Sequence, residues 1–228
     1  MEFNIKELLD FFDDKKDSKK GDANALMGMF GEDINVAAYK HFRKNKEVKI
    51  LEESVVQGFR GGKQLDRWVL DKNSNRLFQC EIKNWAATAI GGKSLRSDAD
   101  EGETKRVVEY YWKNQLNGEL SVKVKHPSKC SKVLLKMRLP EEHKTLTVKP
   151  LLIYWMPISK NGLNPLSAVS VKNLGLPIET EFSELNIFSV SLYLRQLYKK
   201  GNGQKTIDLD MPHLEHRIKI LNKLKISK

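Results

Sequence analysis

Two apolar-rich runs separated by a short polar break constrain the fold of this 228-residue chain more than any other stretch. Residues 64–70 (QLDRWVL) and 76–85 (RLFQCEIKNW) have the composition of strands, and the DKNSN segment between them is rich in turn formers. The pattern predicts a β-hairpin. Its second strand carries Glu81 and Lys83 among apolar neighbours, where charged side chains are rare unless they are paired.

The predicted hairpin brings three charged groups together at one end. A turn centred in the polar break places Asp66 directly opposite Glu81, with Cβ atoms roughly 5 Å apart. Side chains two residues apart lie on the same face of a strand, so Glu81 and Lys83 share a face. We therefore expect Asp66, Glu81 and Lys83 to converge.

Two neighbouring carboxylates repel each other unless a cation joins them. Mg²⁺ prefers oxygen ligands and usually takes one or two carboxylates together with water and phosphate oxygens. A lysine beside such an ion can orient a water molecule and stabilise negative charge that develops on a phosphate. This chemistry cleaves phosphodiesters. The alternative is an ordinary ion pair between Asp66 and Lys83 on a solvated face, which the apolar neighbours in CEIKNW disfavour.

The remaining pattern predicts a single α/β domain with a mixed sheet. Predicted helices cover residues 3–12, about 22–46, about 104–116, the later part of 187–201 and a last segment after Asp210. Further strands are predicted at residues 48–58, 148–159 and the start of 187–201. We expect an N-terminal helix and an exposed charged linker over residues 1–21, and a core over about 22–160, within one domain that spans 1–228.

The charge balance favours a polyanionic partner. The chain has 40 Lys and Arg against 29 Asp and Glu, which gives a formal net charge of +11. Such an excess favours nucleic acid before membrane, and a lysine-rich solvated surface is the alternative. The basic residues with a predicted phosphate contact are Lys63, Lys93, Arg96, Lys105, Arg106, Arg195 and Lys199.

Cysteine usage favours a reducing, cytoplasmic location. The chain has two cysteines, and Cys80 lies in a strand-like run, which predicts a buried free thiol. The first residues lack the pattern of a signal peptide, and no apolar run is long enough to span a bilayer. We therefore expect no membrane partner.

Asp66 followed by Glu81-Ile82-Lys83 resembles the motif of the PD-(D/E)xK nuclease superfamily, which has the restriction-endonuclease-like fold. In this family an Asp on the second core strand precedes, across a hairpin, a Glu-x-Lys on the third strand. The resemblance covers residues about 28–117. Leu65 departs from the pattern because it stands where the family motif has Pro, a position that varies widely.

Two further residues correspond to positions that some family members share. Glu32, in FGEDINVAAYKHF, matches an acid on the first core helix, and Gln115, in YYWKNQL, matches a Gln on the helix after the third strand. The resemblance implies a central mixed sheet flanked by helices and a metal-dependent endonuclease, with DNA favoured over RNA. Many members form homodimers, and this possibility stays open.

The resemblance also implies a role for each residue of the motif. Asp66, Glu81 and the Ile82 carbonyl would hold Mg²⁺ or Mn²⁺. Lys83 would orient the attacking water. Glu32 would assist through a water or a second metal ion, and Gln115 would position the substrate.

Two other functions remain open at this stage. One is a nucleic-acid-binding module that keeps the fold without cutting, although an intact acid-x-lysine motif argues against it. The other is a nucleotide hydrolase, because Gly92-Lys93-Ser94 resembles the end of a phosphate-binding loop. A basic loop that contacts a nucleic-acid backbone explains the segment better, with Gly91 and Gly92 allowing close approach. Core packing is expected to explain the four tryptophans, Trp68, Trp85, Trp112 and Trp155.

Overall fold

A computed structural model describes ten segments of the chain. They are residues 1–16, 21–44, 47–51, 66–116, 131–135, 137, 139, 143–174, 180–200 and 205–224. The helices are α1 (Ile5–Asp13), α2 (Asp22–Phe42), α3 (Glu101–Tyr111), α4 (Val190–Lys200) and α5 (Pro212–Leu224). A π-helical turn, Trp112–Leu116, continues α3. None of the helices in these segments combines the length and apolar character needed to cross a membrane.

Within the described segments, six strands form the central sheet. The strands in these segments are β1 (Glu2–Asn4), β2 (Val48–Leu51), β3 (Arg67–Asp71), β4 (Arg76–Lys83), β5 (Thr147–Tyr154), β6 (Leu166–Ser170), β7 (Glu184–Ser189) and β8 (Thr206–Asp208). The sheet order is β2-β3-β4-β5-β7-β6. The strands β4, β5 and β7 are parallel, and the other neighbours are antiparallel. The predicted mixed α/β fold with a central sheet flanked by helices is confirmed.

The predicted hairpin is β3 and β4. Its register places Arg67 opposite Cys80, which is the pairing that a turn centred in DKNSN requires. The Oδ1 atom of Asp71 accepts a hydrogen bond from the Ser74 N–H at 3.3 Å. Asn75 has a positive φ of 50°, a conformation that Asn tolerates better than most residues. Local turn chemistry therefore sets the register of the strand that carries Glu81-x-Lys83.

Both faces of β4 are covered. The main core lies on one face, where Cys80 and Ile82 pack with residues of α2. A smaller cluster of Trp68, Leu77 and Met137 lies apart from this core. Gln79 is buried and its Nε2 donates to backbone carbonyl oxygens of the 131–135 segment. Charged side chains on a strand that is covered on both faces have little contact with water.

A separate two-stranded sheet joins distant parts of the chain. Glu2 of β1 pairs with Asp208 of β8 in an antiparallel register. Asn4 then caps α1, because its Oδ1 accepts the Glu7 N–H at 3.2 Å. The sequence pattern did not predict β1, β6 or β8, which have only three to five residues each.

Candidate active site at the end of the hairpin

Asp66 lies where the regular pairing of β3 and β4 ends. Its backbone N–H donates to the Cys80 carbonyl oxygen at 3.2 Å. Its Oδ2 accepts the Ile82 N–H at 2.7 Å. These two bonds flank Glu81 on either side, in agreement with the predicted position of Asp66 opposite Glu81. The carboxylate is therefore oriented by the backbone of the neighbouring strand.

Glu81 and Lys83 form an ion pair on one face of β4. The Nζ of Lys83 donates to Oε1 of Glu81, so both side chains point to the same side of the sheet as expected. The side chain of Glu81 is 6% exposed and that of Lys83 is 17% exposed. Lys83 therefore does not form part of an ion pair on a solvated face of the sheet. Burial of two charges costs desolvation energy, so stability alone is a weak reason for their presence.

Three residues outside the predicted motif hold the end of β4. The Lys83 carbonyl oxygen accepts the Trp155 N–H at 2.8 Å and lies 3.5 Å from Nδ2 of the buried Asn35. The Nζ of Lys83 lies 5.8 Å from the ring centroid of Trp85. Trp85 follows the motif closely in sequence, whereas Asn35 and Trp155 reach it only through the fold.

Glu32 reaches the site through Arg67. Glu32 lies on the exposed side of α2, and its Oε2 is 3.8 Å from an Arg67 guanidinium nitrogen. The same guanidinium donates to the Asp66 carbonyl oxygen at 2.7 Å. Arg67 therefore connects the helix acid to the backbone of the strand acid. Its position directly after Asp66 is the only sequence signal for this role.

The helix that carries Glu32 makes a close contact with the residue after β4. A Cβ atom built on Gly31 would lie 2.6 Å from Cβ of Asn84, closer than real Cβ contacts come. The Nδ2 of Asn84 donates to the Met27 carbonyl oxygen of the same helix at 2.6 Å. A glycine at this position therefore lets α2 approach the end of the Glu81-x-Lys83 strand.

Gly31→Ala is expected to lower the free energy of unfolding by about 1–3 kcal/mol, because the added methyl group overpacks this contact. Gly28→Ala is the matched control in the same helix, since a Cβ there meets nothing within 4 Å. Better helix propensity should make Gly28→Ala stabilising by up to about 1 kcal/mol. Urea unfolding curves measure both changes. Equal effects of the two variants would contradict the close contact.

Five of the predicted phosphate contacts lie on the surface. They are Lys93, Arg96, Lys105, Arg106 and Lys199. Arg96 pairs with Asp98 at 3.0 Å, and Lys105 pairs with Glu101 at 2.6 Å. Exposed pairs of this kind contribute little to stability, so phosphates can compete for these cations. Lys63 and the side chain of Gln115 lie outside the described residues.

The prediction that Arg195 contacts phosphate on the surface is wrong. Arg195 is 3% exposed, and its Nη2 lies 2.9 Å from Oδ2 of Asp13. The same nitrogen donates to the Leu95 carbonyl oxygen at 2.7 Å. Asp13 also accepts hydrogen bonds from Trp155 Nε1 at 2.7 Å and from the Ser191 hydroxyl. The guanidinium is thus a buried partner for a buried carboxylate.

The expectation of an exposed charged linker also needs correction at its start. Asp13 and Asp14 are 1% and 3% exposed. Asp13 is the last residue of α1. Its carbonyl oxygen accepts the Leu95 N–H at 3.1 Å, so it contacts the segment between β4 and α3. The acidic run FFDDKK resembles a solvated turn in sequence. Burial of Asp13 is compensated by partners that are distant in sequence, Arg195 with its positive charge and the hydrogen-bond donors Trp155 and Ser191.

The Gly92-Lys93-Ser94 segment does not have the structure of a nucleotide-binding loop. A Cβ on Gly92 would lie 2.2 Å from Oη of Tyr111, and this hydroxyl donates to the Lys93 carbonyl oxygen at 2.9 Å. The next helix begins only at Glu101, so its N-terminus does not follow the loop as in a phosphate-binding loop. Packing against Tyr111, rather than close approach of a phosphate, explains the glycine.

The thiol beside the site is buried, and its environment disfavours ionisation. Cys80 is free and buried, as predicted. Burial raises the pKa of the Cys80 thiol well above its usual value, and the negative charge of Asp66 raises it further. The thiolate needed for nucleophilic attack or metal binding is therefore disfavoured.

The chemistry of the residues at the hairpin end is compatible with a hard divalent cation. Asp66 and Glu81 would supply carboxylate oxygens, and the Ile82 carbonyl would supply a third oxygen donor. Within the described ranges, no set of three or more His, Cys, Asp and Glu side chains is arranged to hold a metal ion. A two-carboxylate donor set of this kind suits Mg²⁺, which completes its shell with water and substrate oxygens.

No family model, curated protein or solved structure matches the chain. The placement of Asp66, Glu81 and Lys83 is therefore the basis for assigning a function.

Proposed function

We propose that the protein is a divalent-metal-dependent nuclease of the PD-(D/E)xK type that hydrolyses phosphodiester bonds, with DNA favoured over RNA. One observation carries the proposal: Asp66 is bonded to β4 on either side of Glu81, whose partner is the largely buried Lys83. A site built only for stability would gain more from apolar side chains at these positions.

The order of the elements supports the same proposal. Helix α2 precedes the antiparallel strands β2, β3 and β4, and α3 then leads towards β5, which is parallel to β4. This order agrees with a restriction-endonuclease-like core, in which the Asp and the Glu-x-Lys occupy the second and third strands. In the proposed core, Asp66 directly precedes β3, and Glu81 and Lys83 lie at the end of β4.

The side chains have distinct tasks in the proposed reaction. Asp66, Glu81 and the Ile82 carbonyl would hold the divalent cation, which when bound would supply positive charge and promote ionisation of water. Asp66 is pre-oriented by the Ile82 N–H, which reduces the reorganisation needed at the moment of reaction. Lys83 orients the attacking water and stabilises negative charge on the phosphate. Trp85 restricts where the Lys83 ammonium can lie.

The test is cleavage of defined nucleic acids by the purified protein. Supercoiled plasmid, linear duplex DNA, single-stranded DNA and RNA are incubated with Mg²⁺, Mn²⁺ or EDTA. We expect cleavage of DNA in Mg²⁺ or Mn²⁺ and none in EDTA. Binding of all substrates without cleavage of any would favour the non-catalytic alternative. Cleavage of RNA alone would keep the nuclease and reject the preference for DNA.

A further inference from the structure

A second feature lies between the end of α3 and the loop that follows β5. It is a pocket of about 270 Å³. Trp112 forms part of its wall, and Lys105, Lys113 and Lys160 bring three positive charges to it. Two negative charges oppose them, Glu109 in the lining and Glu101, which pairs with Lys105 at 2.6 Å. None of these residues belongs to the hairpin site. An aromatic wall beside an excess of cations is typical of sites that bind single-stranded nucleic acid.

Trp112 differs from the core tryptophans. Trp68 and Trp155 are 1% and 0% exposed, whereas Trp112 is partly exposed and packs against the core with only part of its ring. The Nζ of Lys160 lies 5.5 Å from the Trp112 ring centroid. The ring is thus close to a cation as well as to the core, and the expectation that core packing explains Trp112 holds only in part.

The turn that carries Trp112 has an identifiable cause. Trp112 begins the π-helical turn at the end of α3. The Nδ2 of Asn114 donates to the Tyr110 carbonyl oxygen at 2.6 Å. A side chain thus competes with backbone N–H groups for this carbonyl oxygen, at the point where the α-helix changes into the π-helical turn. Turns of this type are frequent at functional sites.

The opposite wall is a well-supported loop. Ser159 is 5% exposed, and its Oγ accepts the Asn161 N–H at 3.1 Å. The Lys160 N–H lies 3.5 Å from Oγ of Ser167 on β6. Gly162 has a φ of +61°, which glycine adopts without strain. The backbone that carries Lys160 is therefore held in place before any ligand arrives.

The loop that forms one wall of the pocket follows β5, whose last residue, Tyr154, pairs with Lys83. The Ile158 N–H donates to Oγ of Ser189 at 3.3 Å, next to the point where the pocket wall begins. Ser189 pairs with Tyr154, and Tyr154 pairs with Lys83. Two strand spacings separate Ser189 from Lys83, a backbone distance of about 10 Å. Ligands of α/β proteins bind at the edge of the sheet beyond the carboxyl ends of its parallel strands.

We propose that this pocket binds one unpaired nucleotide of the substrate strand, a few nucleotides from the bond that is cut. The base stacks on Trp112 in place of the Lys160 ammonium, which then pairs with a phosphate together with Lys105 and Lys113. The volume is close to the lower limit of small-ligand pockets, about 300 Å³, and suits a single base rather than a base pair. The inference rests on the proposed function, and it names DNA with a single-stranded segment as the preferred substrate.

The experiment measures binding without cleavage. Fluorescence anisotropy in EDTA gives the affinity for a labelled single-stranded DNA oligonucleotide and for a blunt duplex of the same sequence. Trp112→Leu should weaken single-strand binding about tenfold and leave duplex binding nearly unchanged, because one stacked base is lost. Trp112→Phe should retain most of the affinity. Lys160→Ala should reduce the salt slope for the single strand by about 0.7. Lys219→Ala removes an exposed lysine of α5 outside the pocket and is the matched control.

Wild-type single-strand affinity in folded Trp112→Leu and Lys160→Ala would overturn the inference, as would an equal loss for the duplex. Failure of the wild type to bind either probe would also overturn it. Metal-dependent cleavage by a wild type whose pocket variants bind normally would reject the pocket alone. A wild type that never cuts, but loses single-strand binding on Trp112→Leu, would reject the nuclease alone.

Discussion

Asp66→Asn is expected to lower metal-dependent DNA cleavage by about 10²–10³-fold or more while the protein stays folded. The amide keeps an oxygen that can accept the Ile82 N–H, so the end of the hairpin retains its backbone geometry. The substitution removes the negative charge with which Asp66 would bind the divalent cation. Losses of this size are usual when one electrostatic contact to the reacting groups is removed. Initial rates of plasmid nicking in Mg²⁺ measure the effect.

The affinity of Asp66→Asn for DNA should not fall with the cleavage rate. Removal of a carboxylate also removes repulsion of the phosphate backbone, so gel-shift affinity in EDTA should be equal to the wild type or slightly tighter. Asp98→Asn is the matched control, because Asp98 is an exposed carboxylate paired with Arg96. It should cut at the wild-type rate. Wild-type cleavage rates in both Asp66→Asn and Lys83→Met, in folded protein, would show that the hairpin site does not carry the cleavage and would refute the proposed PD-(D/E)xK mechanism.

Arg195→Met is expected to lower the free energy of unfolding by about 3–5 kcal/mol, since Asp13 would remain buried without its cation. For a chain of this size the melting temperature should fall by roughly 10 °C. The variant also removes donors to the Leu95 and Arg96 carbonyl oxygens, which lie in the segment between β4 and α3. Thermal unfolding followed by circular dichroism measures the change.

A second variant separates the buried pair from lost packing. Asp13→Asn combined with Arg195→Met should cost less than the sum of the single changes, because neither then leaves a buried charge alone. Lys105→Met removes a cation from the exposed pair with Glu101 and should leave the melting temperature unchanged. Equal losses in Lys105→Met and Arg195→Met would show that Asp13 and Arg195 are not coupled as described.

The hairpin and its charged residues could be predicted because all their determinants are local. Alternating apolar residues define the strands, and the turn formers between them set the register that brings Asp66 opposite Glu81. Period-two geometry then places Lys83 beside Glu81. These three residues lie within one short stretch, so no information about the rest of the fold is needed to group them.

Contacts between distant parts of the chain could not be predicted in this way. Asp13 and Arg195 are 182 positions apart, and each alone resembles an ordinary charged surface residue. Gly92 resembles a phosphate-binding glycine until Tyr111, on the following helix, is placed against it. Asn35 likewise reaches Lys83 only because α2 packs on the sheet. Tertiary contacts, rather than local preference, determine these environments.

The pairing of β1 with β8 has a consequence for how the protein is made. Helix α1 is synthesised long before Arg195 and Asp208. When it leaves the ribosome, Leu9 and Phe12 therefore cannot yet pack into a complete hydrophobic core. Contacts between residues so far apart in sequence form slowly, because a long loop must close first. We expect the nascent chain to stay sensitive to protease until α4 has emerged. Docking of the N-terminal helix is therefore a late step of folding, which follows the synthesis of α4 and β8.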